Sequence, residues 1–207
     1  AALFAILIVT VQSKGYRLDM YLKIVFNEGV VLAVVATGGS HANLTDDYAA
    51  IPAEMGAVAR YFGKEVLRQV PETDFYAALP SLRRVCGDRA VLRAMHVYAD
   101  NRRVERQVQA LKEQDIDTYL DLVNESGRSS WELLQNVIPE GAAMHQEMAF
   151  ALAAAQRALQ GRGASRVHGG GFAGTIQAYV PLDLKKSFTK EMEALLGQGS
   201  CCYVKVG

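Results

Sequence analysis

Residues 169–174 read Gly-Gly-Gly-Phe-Ala-Gly, four glycines in six positions. Glycine reaches backbone angles closed to other residues, so this run forces a sharp change of direction and lets the backbone approach a neighbouring surface closely. What flanks it fixes the kind of turn. Upstream, Met144, Met148, Leu152, Ala155 and Leu159 share one face of a helix predicted over residues 141–159, whose many alanines permit close packing. Downstream, residues 175–180 alternate with a period of two. Residues 183–196 then read as an amphipathic helix and residues 201–206 as a last strand. The end of the chain is therefore a short strand–helix–strand unit hung on a glycine turn. Taken alone, the turn is either a plain helix-to-strand connection or a set of exposed amides able to face an anion.

The start of the chain is strand-like. Residues 3–11 are apolar and β-branched, Gly15 offers a turn, and Leu22, Ile24 and Phe26 alternate with Lys23 and Val25. Asn27-Glu28-Gly29 reads as a hairpin connection. Residues 30–36, apolar on both faces, belong inside a sheet. A polar loop, 37–43, precedes a helix with Thr45 as its cap and Asp46 and Asp47 in its first turn. Ile51, Met55, Val58 and Phe62 recur at helical spacing, Pro52 belongs in the first turn or kinks the helix, and Gly63 stops it. Residues 73–159 are mostly helical. Asp88 caps a long helix through Leu111, and Ser129 with Glu132 forms a capping box. With no repeat or long linker, residues 1–207 read as one unit with a strand-rich start over 1–36. The predicted class is α+β, helices packed on a mainly antiparallel sheet.

Charge excludes some partners. Lys+Arg and Asp+Glu number 22 each, which gives no electrostatic reason to expect nucleic acid or an anionic membrane. Cys86, Cys201 and Cys202 are an odd set with two adjacent members, a poor disulfide framework that points to a reducing cytoplasm, the last two being small core residues of the final strand. No Cys/His spacing suggests zinc. The apolar run at residues 1–9 is too short to span a bilayer, and no basic stretch precedes it. A start without methionine suggests a fragment. His96 and His145 read as helix-surface or core-edge residues. Arg102, Arg103, Glu105 and Arg106 read as a solvated, salt-bridged face. Residues 126–130, Ser-Gly-Arg-Ser-Ser, read as a helix start, not a phosphate loop.

Residues 166–174 with the strand that follows resemble the third signature motif of the galactokinases, within the GHMP small-molecule kinases. That motif commonly reads Arg-Met-Thr-Gly-Gly-Gly-Phe-Gly-Gly. Val167, His168 and Ala173 depart from it, and the core Gly169, Gly170, Gly171, Phe172 and Gly174 is intact. A second anchor lies at residues 38–48, where Ser40-His41 and Asp46-Asp47-Tyr48 occupy the places of the family's Lys-His pair and Ser-Glu-Tyr. Asn124-Glu125-Ser126-Gly127 and Leu134-Gln135-Asn136 match further family text, so the resemblance spans roughly residues 30–200.

The resemblance implies the C-terminal domain of a sugar kinase. It makes Tyr48 the leading sugar contact, with His41, Asp46 and Asp47 beside it, and makes His168 and the glycines a wall of the site. It implies ATP and Mg²⁺ as cofactors of the whole enzyme and a galactose-type sugar as substrate. The family's Gly-Glu-His-x-Asp motif, serine-rich phosphate loop and aspartate base are not found in their expected places, so a missing N-terminal half is the expected partner. The chain alone is then expected to be inactive, with no catalytic residue of its own. The Asn-x-Arg-Arg that often follows the tyrosine is Ala49-Ala50-Ile51-Pro52 here. Two alternatives stand beside galactokinase: a non-catalytic sugar-binding or assembly module, and a related kinase for an N-acetylated sugar. An apolar interface left open would favour a homodimer through strands near residues 3–11 or 30–36.

Overall fold

The structure, a computed structural model, describes Val25 and residues 28–204. The expectations on residues 3–11, Gly15, Leu22, Ile24, Phe26, Asn27 and residues 205–206 lie outside the described residues. Val25 is buried and helical, which departs from the strand alternation expected there.

The fold is α+β. Strands β1 (Val30–Ala36), β2 (Ala164–His168), β3 (Thr175–Pro181) and β4 (Cys201–Tyr203) form one antiparallel sheet in the order β2-β3-β1-β4. β1 pairs with β3 along its whole length, from Val30 opposite Pro181 to Ala36 opposite Thr175. Its other edge carries β4 at Ala33, Val34 and Val35. This interior place explains its apolar character on both faces. Over Ala33–Val35 both edges of β1 are taken within the chain, so the expected ladder to a second copy has no free edge along that stretch, and the expected hairpin partner before residue 30 lies outside the described residues apart from Val25.

Among residues 28–204 seven α-helices are described, α1 (Thr45–Tyr61), α2 (Glu72–Ala77), α3 (Leu79–Cys86), α4 (Asp88–Glu113), α5 (Ile116–Ser129), α6 (Glu147–Leu159) and α7 (Lys185–Leu196), and α4 to α7 pack on the sheet. On one face, alanines of α6 with Phe188 and Met192 of α7 pack against Ala33, Val35, Ile176 and Ala178. On the other, Val108 and Leu111 of α4 and Tyr119 and Leu120 of α5 pack against Val30, Leu32 and Tyr179. A third core joins α1, α2, α3 and the first half of α4 around Phe75 and Leu82. α5 presses onto β2 because Gly127 has no side chain, since a Cβ there would lie 2.9 Å from the Ser165 carbonyl oxygen. Asn124, one turn earlier, spans the outer edge of β2, donating to Gly163 O at 3.1 Å and accepting from Ser165 N at 3.2 Å.

Several helix boundaries differ from expectation. Leu44, not Thr45, precedes α1, and Pro52 lies in its second turn, where Tyr48 loses the amide its carbonyl would otherwise accept. Asp88 opens α4 but gives its carboxylate to Arg83 at 2.6 Å instead of capping. No helix starts at Ser129: α5 runs into a π-turn over Ser130–Leu134, and the Ser129 hydroxyl is spent on His96 at 2.8 Å. The helix expected from residue 141 begins at Glu147, which leaves Met144 and His145 exposed ahead of it.

Candidate functional site

The loop after β1, the first turn of α1, the glycine turn and the segment after the π-turn meet at the end of the sheet where β1 finishes and β3 begins. Thr37 anchors the first of these, its amide and hydroxyl both bonding Gly174 O at 2.9 and 3.0 Å. Leu44, Phe172 and Ala173 form a small apolar cluster with Tyr48 and Ile51 packed on it. The Tyr48 ring meets Phe172 edge-on, centroids 5.4 Å apart.

The Tyr48 hydroxyl donates to Gly171 O at 2.7 Å. A phenol carries one proton. The 2.9 Å contact with His41 Nδ1 is therefore made by the imidazole, Nδ1–H donating to the phenol oxygen. The network thus assigns neutral His41 its lone pair on Nε2, which lies toward Gly174: a Cβ there would be 2.9 Å from it. Burial pushes the Tyr48 pKa up; a backbone hydrogen bond from the Ala173 region offsets part of this and the Asp47 charge adds to it, so the phenol remains a donor at neutral pH.

The glycine turn is held from both sides. Tyr48 takes the carbonyl of Gly171. Opposite it, Asn136 donates from Nδ2 to Gly170 O at 3.2 Å, and its own carbonyl accepts from Phe172 N at 2.6 Å. Gly171 has φ +88°, and a Cβ on it would lie 2.0 Å from Asn136 O. Only glycine meets both demands.

Of the residues singled out from sequence, Tyr48, His41, Gly170, Gly171, Phe172 and Gly174 come together here. The Asp46 side chain is exposed and makes no hydrogen bond to the described residues. Asp47 is turned to the protein, accepting from Glu140 N at 3.0 Å. His168, half-buried, meets Thr175 Oγ1 at 2.9 Å where β2 and β3 join at Gly169, and burial lowers its pKa. Thr37 and Asn136 were missed. So was Arg93, nearly fully buried, which joins Glu54 of α1 at 2.9 Å to the Leu134 carbonyl at 3.1 Å and so ties Tyr48's helix to the segment bearing Asn136.

Two other readings are corrected. His96 is fully buried, with Nε2 4.0 Å from Asp100 one turn on, and burial pulls its pKa down to about 4. Arg103 is buried against Asp100, whereas Arg102 and Arg106 are exposed and pair with Glu72 and Glu125. Residues 126–130 continue a helix and form no loop. Three exposed apolar side chains, Met144, Phe150 and Leu195, line one groove with Thr37, just past the end of β1. Among the described residues no three His, Cys, Asp or Glu side chains converge. No described helix is long and apolar enough to cross a membrane.

The fold and this site define a class. The chain superposes on the crystal structure of Lactococcus lactis galactokinase complexed with galactose with a TM-score of 0.64, over 85% of this chain and 44% of that one, at 19% identity. It is 29% identical to a Glaesserella parasuis galactokinase over 79% of its length and 30% identical to one from Actinobacillus pleuropneumoniae over 74%. No family model matches. These matches fall on the C-terminal part of the relatives and cover 40% and 38% of their lengths. The chain is related to the galactokinases and corresponds to their C-terminal portion.

Proposed function

We propose that this chain forms the C-terminal wall of the sugar site in a galactokinase, an enzyme that transfers the terminal phosphoryl group of ATP to the anomeric hydroxyl of galactose with Mg²⁺. The observation that carries the reading is the Tyr48–Gly171 hydrogen bond, 2.7 Å across 123 residues of sequence. It joins the two segments whose sequences resemble galactokinases into one surface. The ring of Tyr48 and the Nε2 of His41 give that surface an apolar face and an acceptor, which suit a hydroxylated ring. ATP and Mg²⁺ are bound by parts other than the residues described, and the reaction runs in a reducing cytoplasm, in keeping with three free cysteines.

Phosphoryl transfer depends on positioning and on charges around the phosphates. The residues around Tyr48 present no paired base and nucleophile. The isolated 207-residue chain is therefore expected to give little or no galactose phosphate when incubated with ATP, Mg²⁺ and galactose. Turnover by this chain alone would overturn the division of labour. A second reading, a sugar-binding or assembly module without chemistry, is favoured by Ala49-Ala50-Ile51-Pro52 standing where Asn-x-Arg-Arg often follows the tyrosine. A reading frame that continues upstream into a Gly-Glu-His motif and a serine-rich phosphate loop decides for the enzyme. Titration with galactose and N-acetylgalactosamine separates the two kinase readings.

A further inference from the structure

Asn136 is fully enclosed, at 0% exposure, immediately after Gln135, whose left-handed backbone ends the π-turn. Its side chain and its main chain grip consecutive parts of the glycine turn, Gly170 O through Nδ2 and Phe172 N through the carbonyl. Between these two contacts lies Gly171, whose carbonyl receives the Tyr48 proton. The peptide unit that carries that acceptor and the unit before it are thus both held by one residue on the face opposite Tyr48. The Asn136 Oδ1 finds no partner among the described residues. Rotating the amide by half a turn would not cure this, because it would set Oδ1 against the Gly170 carbonyl. The sense of the amide is therefore dictated, and a buried acceptor is left unpaired to keep it, an unfavourable arrangement that packing alone does not require.

We propose that Asn136 is a positioning residue for the sugar site: through its donor to Gly170 O it sets where the Gly171 carbonyl lies, and so where the Tyr48 hydroxyl and the His41 imidazole stand. This rests on Tyr48 being a sugar contact, and the test separates the two ideas.

The discriminating variant is Asn136→Asp, equal in size and shape. Its ionised carboxylate has no proton for Gly170 O and repels it. Its neutral acid restores an O–H donor. Amide exchange in the 207-residue chain is expected to be at least tenfold faster at Phe172 and Ala173 in Asn136→Asp at neutral pH. The difference from the parent should shrink as pH falls and the introduced carboxyl takes up its proton. Asn136→Ala, which cannot be rescued, should exchange equally fast at every pH relative to the parent. In the protein from the complete reading frame, galactose affinity is expected to fall at least tenfold in Asn136→Asp. Exchange at Phe172 unchanged in Asn136→Asp, or a pH response no different from Asn136→Ala, would overturn the positioning role. If exchange responds as expected but neither Tyr48→Phe nor Asn136→Asp changes galactose affinity, the reading of Tyr48 as a sugar contact fails and the local role of Asn136 stands.

Discussion

Gly171→Ala concentrates three costs at one carbon atom. The added Cβ would sit 2.0 Å from Asn136 O, 1.4 Å short of the 3.4 Å at which ordinary contact begins. Neither side can give freely, because Asn136 O is main chain and is bonded to Phe172 N at 2.6 Å. Overpacking of this kind costs about 1–3 kcal/mol. The φ of +88° adds about 1–2 kcal/mol for a residue with a side chain. Displacing the turn weakens the Phe172 and Tyr48 hydrogen bonds, about 1 kcal/mol each. The sum is roughly 4–7 kcal/mol, a large part of the roughly 5–15 kcal/mol that holds a domain folded. For a chain of this size, at about 2–4 °C per kcal/mol, that lowers Tm by roughly 8–28 °C. Gly161→Ala is the control: its φ is +75° but nothing lies within 4 Å of a Cβ there. It should cost only the backbone share, about 1–2 kcal/mol. Urea unfolding of both variants measures the difference directly. Equal costs, within about 1 kcal/mol, would refute the claim that Asn136 closes on Gly171 and leaves room only for glycine.

Gly127→Ala should push α5 off β2, because its Cβ meets Ser165 O at 2.9 Å; a loss of about 1–3 kcal/mol in denaturant unfolding is expected, and no loss would contradict that close approach. His96 gives a pH dependence. Its folded pKa, held down at about 4 chiefly by burial, lies below the ordinary histidine value of about 6.5, so between these the unfolded chain holds a proton that the folded chain does not. Stability should therefore be lost as pH falls from about 6.5 to about 4, by at most about 3 kcal/mol. Asp100, lowered against burial by Arg166, His96 and other neighbours, contributes only below the ordinary carboxylate range. His96→Gln should flatten the slope between pH 6.5 and 4; an unchanged slope assigns it to other groups.

Local features carried the secondary structure well. The period-two run after Gly174 and the alanine-rich face of α6 leave little choice, and the two-sided apolar character of residues 30–36 announced an interior strand. Helix ends were less legible. Gln114, Gln135 and Gln160 end their helices in left-handed conformations usually signalled by glycine. Ser129 and Glu132 satisfy a capping pattern by type, but a buried histidine from another helix takes the serine hydroxyl. Tyr48, His41 and the glycines were visible through a family resemblance. The bond of Asp47 to Glu140, 93 residues away, left no mark on the local sequence. Asn136 stood in family-like text, but nothing local marked it as part of the site. Its importance comes from the 34 residues that separate it from Gly170, a distance only the fold removes.

The most direct test of the account is a calorimetric titration of galactose into the protein from the complete reading frame, parent against Tyr48→Phe. That variant keeps the ring against Phe172 and removes only the hydroxyl that His41 and Gly171 hold. The account predicts galactose binding in the parent and an affinity at least tenfold weaker in Tyr48→Phe, about 1.4 kcal/mol. Equal affinities, or no galactose binding by the parent, would contradict it.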